Sequence, residues 1–232
     1  MRPADMPEIR SLPLFGDMRD DNFGALMRGA YVQNFPPQIE LISEGDPSDF
    51  LYIVIDGRVE LFATWNRRET TMATVHPIST FILAATIRDA PYLMSARTLE
   101  KSRLVLVPSM YVREVFGSDD AFARAIVTEL ALCYRSVVKN SKGLKLRNSI
   151  ERLANYLLRQ RAFAGDAAEF ELKIEKRRLA SYLGMTPENL SRAIRALQAY
   201  GVEINGSHVA IPDTRDLERL AKPTPLIDDP AS

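Results

Sequence analysis

The chain has 232 residues, with 30 Lys/Arg against 30 Asp/Glu, two histidines, one cysteine and 46% apolar residues. That length allows two domains, and the single Cys133 excludes an internal disulfide and any metal or iron–sulfur cluster held by several thiolates of one chain. No run of about 18 apolar residues occurs and the start lacks a charged-then-apolar leader pattern, so a cytoplasmic protein with no membrane partner is expected.

Residues 1 to about 30 mix Pro, Asp and Arg with apolar anchors Leu12, Leu14, Phe15, Phe23, Leu26 and Met27. They read as short helices packed on the next domain. From Tyr31 to about Val107 the chain offers short runs rich in β-branched and aromatic residues: 40–43, 50–55, 59–62, 70–75 and 102–107. Turn residues separate them at Gly45-Asp-Pro47, Asp56-Gly57 and Asn66-Arg-Arg68. Regularly spaced short strands of this kind predict an antiparallel sandwich or barrel.

Near Pro108 the period changes to helical. A short helix over 108–116 ends at Gly117, and Ser118 is placed to cap a longer one running to about Leu144. Phe122, Ile126, Leu130, Cys133, Val137 and Leu144 recur along it at intervals of three, four or seven. Such a stripe forms a dimer seam or packs within its own chain. Cys133 fits it as a small apolar residue, the alternative being a redox sensor.

A further helix starts at Ser149 and runs to about Arg159. Residues 176–197 then read as a helix-turn-helix. Leu179, Ala180 and Leu183 give a first helix its apolar face, and Gly184 breaks it. Thr186 is placed to cap a second helix whose first position is Pro187. Leu190, Ile194 and Leu197 face inward, leaving Glu188, Asn189, Ser191, Arg192 and Arg195 outside. An acid, an amide, a hydroxyl and arginines near a helix N-terminus have the donors and acceptors that read base edges. The alternative is a solvated amphipathic helix. Asn205-Gly206 makes a hairpin of the runs on either side, placing a wing after the second helix. From Lys222 onward, prolines without periodicity predict a disordered tail, 222–232.

The zero net charge hides an uneven distribution. Residues 135–200 hold 14 Lys/Arg against 6 Asp/Glu, leaving 16 basic and 24 acidic residues elsewhere. A basic block on an acidic chain is the footprint of one DNA-facing domain.

A β-roll, a long helix and a C-terminal winged helix, in that order, resemble the CRP/FNR family of bacterial transcription regulators over about residues 12–220. One motif is Glu44–Phe62, similar to the family's glycine-turned roll, with Gly45 and Gly57 at the turns. The other is Glu188-Asn-Leu-Ser-Arg192, similar to the recognition signature of the FNR branch. The fold implied is α+β: a sensor β-roll over 1–117, a dimerisation helix over 118–146 and a winged helix-turn-helix over 147–221. The resemblance implies a homodimer on a TTGAT-like inverted repeat in double-stranded DNA, with RNA polymerase as a further partner. Arg192 would read a guanine, Glu188 would accept from bases of the complementary strand, and Ser191 would lie near an outer thymine. Arginine bonds guanine O6 and N7 bidentately and a carboxylate accepts from cytosine N4. Lys176, Arg177 and Arg178 would hold phosphates, with Thr186, Asn189 and Arg195 completing the DNA surface. Effector binding would bias the junction near Lys142–Arg147.

The effector is where the chain departs from the family. Members that bind cyclic nucleotides carry Gly-Glu and, about ten residues later, Arg-Ser/Thr-Ala. Ser79-Thr80 and Met94-Ser95-Ala96 stand there instead. A phosphodiester without its cation loses roughly 1.5–3 kcal/mol, which argues against a cyclic nucleotide, although Arg88 or Arg97 could substitute. The iron–sulfur branch is excluded by the lone cysteine. An effector pocket is expected at Ser79, Thr80, Phe81, Leu83, Tyr92, Met94 and Ser95, with Ile82, Ile87 and Leu93 nearby. An apolar lining suits an apolar ligand or haem. Some family members lacking both residue sets sense nitric oxide or carbon monoxide through haem, which makes His76 the candidate axial ligand. The alternative for His76 is a surface histidine at a strand end. A non-haem small molecule or redox control is the competing mode of regulation. A ligand-binding module acting through protein contacts is the competing function. No nucleophile–base or metal constellation points to an enzyme.

Overall fold

The computed structural model describes residues 6–229 and falls into two compact units that divide between Cys133 and Tyr134. The division lies inside the long helix rather than at its expected ends. In the first unit, α1 (Met6–Arg10) and α2 (Asp20–Arg28) precede a roll of eight strands. These are β1 (Tyr31–Phe35), β2 (Glu40–Ile42), β3 (Phe50–Asp56), β4 (Val59–Trp65), β5 (Arg68–Val75), β6 (Ser79–Phe81), β7 (Ser95–Thr98) and β8 (Ser102–Pro108). A short α3 (Leu83–Arg88) lies between β6 and β7, and α4 (Ser109–Phe116) comes after β8. Two four-stranded antiparallel sheets result, in the orders β1-β8-β3-β6 and β2-β7-β4-β5.

The uninterrupted apolar run of β3 is explained by its position. Tyr52 and Val54 face a cluster between the sheets with Leu61, Val75, Phe81, Leu104 and Leu106. Leu51, Ile53 and Ile55 face a second cluster with Phe15, Leu26, Val112 and Phe122. A strand buried on both faces has no polar side to alternate with. At the β3–β4 turn Gly57 has φ +86°, and an added Cβ would stand 2.3 Å from the Ser102 hydroxyl oxygen, so the turn requires glycine. Asn66 and Arg67 both take positive φ and close β4–β5 as a two-residue hairpin that pairs Trp65 with Arg68.

The long helix is α5 (Asp120–Leu146). Its cap is Asp119, whose carboxylate accepts from the Phe122 amide at 3.0 Å, and not Ser118, whose hydroxyl donates to the Glu114 carbonyl. Phe122 and Ile126 are wholly enclosed in the first unit's core. These two expected dimer-seam residues are therefore unavailable to a partner. The 3.6-residue period places them on an inward face without saying which molecule supplies the other wall.

The second unit continues α5 and adds α6 (Ser149–Phe163), β9 (Glu169–Glu171), α7 (Lys176–Tyr182), α8 (Pro187–Leu197), β10 (Glu203–Asn205), β11 (His208–Ala210) and α9 (Arg215–Ala221). Asn148 caps α6 through a reciprocal box with Glu151. Leu153, Leu157, Leu179, Leu190, Leu197, Val209 and Leu217 close one core. The tail differs from the expected disorder as far as Asp229. Pro225–Asp228 form a helical turn, α10, whose Asp228 pairs with Arg147. Residues 230–232 lie outside the described residues.

Candidate DNA-binding surface and sensor core

The helix-turn-helix is built as its sequence dictates. The Met185 amide donates to Ala180 and the Gly184 amide to Ser181, closing α7 with Gly184 at φ +62°. The Thr186 side chain accepts from the Asn189 amide at 3.2 Å, and Pro187 occupies the first helical position. Leu190, Ala193 and Leu197 are buried, with Ile194 partly buried against the same cluster. Thr186, Glu188, Ser191, Arg192 and Arg195 are exposed, and Asn189 is half-buried.

Polar partners on α8 narrow what each side chain can offer. Asn189 Oδ1 accepts from Arg192 Nη2, which holds the guanidinium along the exposed face. The Ser191 hydroxyl donates to the Pro187 carbonyl at 2.9 Å, leaving its lone pairs free to accept. The Glu188 carboxyl is held below its ordinary value by its own backbone amide, then by the Thr186 hydroxyl and the Arg192 charge. It is therefore an ionised acceptor at neutral pH. On α7, Lys176 and Arg177 are exposed, whereas Arg178 is half-buried and 3.8 Å from Glu175. The wing is β10–β11, turned at Gly206 and flanked by β9. Its His208 stands 3.5 Å from Glu169.

Of the residues expected to line an effector pocket, Phe81, Leu83, Tyr92 and Met94 pack in the roll's two apolar clusters. Phe81 stacks on Tyr52 with ring centroids 5.1 Å apart. Tyr92 is buried in the inter-sheet cluster and its hydroxyl donates to the Phe50 carbonyl at 3.2 Å. Met94 packs on the same cluster, and the Ser95 hydroxyl accepts from the Glu44 amide at 2.9 Å. Leu83 and Ile87 belong to the other cluster, and Leu93 is exposed. Ser79 and Thr80 are half-buried on β6 opposite Val54 and Ile53. An apolar cavity wall and a filled core have the same composition.

His76 is exposed at the end of β5. Its pKa is lowered by partial burial and then by the Arg58 charge, against a smaller opposite pull from Glu100. A side chain on the surface beside an arginine, with the apolar residues enclosed elsewhere, does not fit an axial ligand in a haem pocket. Among the described residues no group of three or more His, Cys, Asp or Glu could hold a metal ion, and no helix is long and apolar enough to cross a membrane.

Arg97, one of the two arginines that could substitute for the missing phosphate arginine, is held by two carboxylates. Its Nε donates to Glu60 at 2.8 Å, and Nη1 and Nη2 donate to Glu69 at 3.0 and 2.6 Å. The guanidinium also lies over the Phe62 ring. Glu60 is 1% exposed and accepts from the Thr71 hydroxyl. Removing Arg97 from this group would take a countercharge from a buried carboxylate.

A β-roll of this topology joined by a long helix to a winged helix-turn-helix is the architecture of a DNA-binding transcription regulator. Residues 32–119 match the cyclic nucleotide-binding domain family, and residues 151–220 match the Crp-like helix-turn-helix domain. The chain belongs to the CRP/FNR family of transcription regulators. It is 24% identical over 189 residues to electron transport regulator A of Shewanella oneidensis, covering 78% of this chain and 75% of that one. It is 24% identical over 186 residues to the transcriptional activator protein Anr of Pseudomonas aeruginosa, covering 78% and 76%. The solved structure of FixK2 from Bradyrhizobium japonicum superposes with a TM-score of 0.71 at 22% identity, covering 84% of this chain and 98% of that one.

Proposed function

We propose that this regulator is a homodimer that reads a TTGAT-like inverted repeat through α8 of each protomer. Arg192 bonds a guanine, Glu188 accepts from bases on the complementary strand, Ser191 approaches an outer thymine, and Lys176 and Arg177 hold phosphates. The observation that carries this reading is a capped α8 presenting Glu188, Ser191, Arg192 and Arg195 on one exposed face, with its apolar face closed.

Dimerisation is supported by the apolar residues α5 leaves exposed, Val127, Tyr134, Val137 and Leu144. With Leu130, which is partly buried against the first unit's core, and Ser141, they fall at alternating three- and four-residue steps. Val137 is 66% exposed and Tyr134 70%. That spacing is the heptad seam of paired helices. It keeps Leu130, Val137 and Leu144 of the expected set, omits Phe122, Ile126 and the exposed Cys133, and adds Val127 and Tyr134. Two such protomers would set recognition helices about 34–36 Å apart, the spacing of successive major grooves. RNA polymerase is the partner on which a promoter-bound dimer would act.

Control by a phosphodiester is disfavoured, since Arg97 is engaged by two carboxylates and Arg88 lies exposed at the end of α3. The roll would then respond to a non-haem small molecule. Titrating labelled duplexes carrying the inverted repeat, a scrambled repeat and single-base substitutions tests the DNA reading. Preference for the repeat that collapses when the guanine is replaced is the expected result. Equal affinity for all duplexes would refute it.

A further inference from the structure

Beyond the recognition surface, the second unit carries a charged cluster around its C-terminal turn. Asp228 Oδ1 accepts from Arg147 Nη1 at 2.7 Å and from Arg159 Nη1 at 3.1 Å. Its Oδ2 accepts from Arg147 Nη2 at 2.6 Å and from the Thr224 amide at 2.8 Å. The Arg147 and Asp228 side chains are 9% and 10% exposed. Burial alone would raise the Asp228 pKa. The Arg147 hydrogen bonds, the Thr224 amide and the two arginine charges overcome it, so the carboxyl is lowered and stays ionised. Alongside, Lys139 Nζ donates to the Asp229 carbonyl at 2.8 Å.

Arg147 is the residue between the last turn of α5 and the Asn148 cap of α6. A second arginine ties the same junction to the helix-turn-helix. Arg152 Nη1 donates to the Arg147 carbonyl at 2.7 Å, and its Nε donates to the Leu183 carbonyl at 2.8 Å, where α7 ends. The chain end, the junction and the turn before α8 are thus linked through fork-shaped guanidinium contacts, which fix direction as well as distance.

We propose that Asp228 is a positioning residue for DNA reading: the C-terminal turn is a clasp that holds the end of α5 at a fixed angle to the winged helix. This rests on the homodimer reading of the function. A dimer gains its advantage on an inverted repeat only when both α8 helices are presented at the right separation, because the second half-site then binds at high effective concentration. A loosened junction leaves each α8 intact and loses that advantage to the entropy of orienting the recognition helices.

The test uses the full chain with Asp228→Asn, Asp228→Glu and Arg159→Ala, titrated against a TTGAT-like inverted repeat, a duplex with one half-site, and repeats with one or two base pairs added between half-sites. Asp228→Asn is expected to leave single-half-site affinity within about twofold, lower inverted-repeat affinity about tenfold and flatten the spacing preference. Asp228→Glu should restore much of the loss. Thermal unfolding identifies a variant that fails to fold, and Arg159→Ala, which removes one arm at a part-exposed residue, then serves in its place with a smaller effect of the same pattern. Equal losses on single and paired half-sites, or no loss on either, would overturn the clasp. A wild-type chain that prefers no paired site to a single one would overturn the dimer reading instead.

Discussion

Arg192→Ala separates base reading from phosphate binding on α8. The side chain is exposed and bonds Asn189 Oδ1, so truncation should change folding stability by no more than about 0.5 kcal/mol. Any effect on DNA is then an effect on binding. A bidentate arginine–guanine contact contributes roughly 1–3 kcal/mol, and a dimer makes it twice, for about 2–6 kcal/mol. That corresponds to about 30-fold to about 20,000-fold weaker binding of the TTGAT-like repeat. The loss should shrink on duplexes whose guanine has already been replaced. Anisotropy titrations repeated across a salt series add a second criterion. Arg192→Ala should leave the slope of log affinity against log salt nearly unchanged, whereas Arg177→Ala should reduce it by about two per dimer. If Arg192→Ala weakens every sequence equally and also reduces the slope, Arg192 contacts phosphate and the assignment of α8 fails.

Three further outcomes are expected. Asp119→Ala removes a carboxylate, 2% exposed, that accepts from the Phe122 and Arg19 amides and the Asn22 side chain; it should cost about 2–3 kcal/mol of sensor-unit stability, read by hydrogen exchange. Burial opposes the Asp119 charge, but the Phe122 amide, Asn22 and Arg19 lower its pKa from the usual 3.8 to about 2. A lowered folded pKa gives stability that is present above pH 3.8 and lost as pH falls through about 2, so wild type and variant should converge across that window. Val137→Asp, on an exposed seam position, should shift sedimentation from dimer toward monomer while circular dichroism is retained. Cyclic AMP at millimolar concentration should leave the DNA titration unchanged, and a large shift would contradict the engagement of Arg97 by Glu60 and Glu69.

The helix-turn-helix was legible because its signals are local: Gly184, Thr186 and Pro187 lie within four residues and each has a stereochemical reason. The longer strands were legible from their apolar runs. β7 was not, because Ser95, Arg97 and Thr98 look like loop until pairing with β2 and β4 supplies their partners. Thr98 is buried because its hydroxyl donates to the Pro36 carbonyl at 2.7 Å and accepts from the Ile39 amide at 2.9 Å. The same limit explains the seam and the expected pocket. Periodicity identified Phe122 and Ile126 as inward-facing, and composition identified Phe81 and Tyr92 as apolar, but neither carries the identity of the atoms opposite. The tail misled for a related reason. Nothing near Asp228 signals order, since its arginines lie 81 and 69 residues earlier. By contrast, the Asn148–Glu151 capping box was present in the sequence and marks the start of α6.

Two chains on one inverted repeat is a stoichiometry, and sedimentation of the protein with a fluorescent TTGAT-like duplex measures it in one experiment. The predicted result is a complex of two chains per duplex that forms at least about 100-fold more tightly than with a scrambled duplex of equal length. One chain per duplex, or equal affinity for the scrambled sequence, would contradict it.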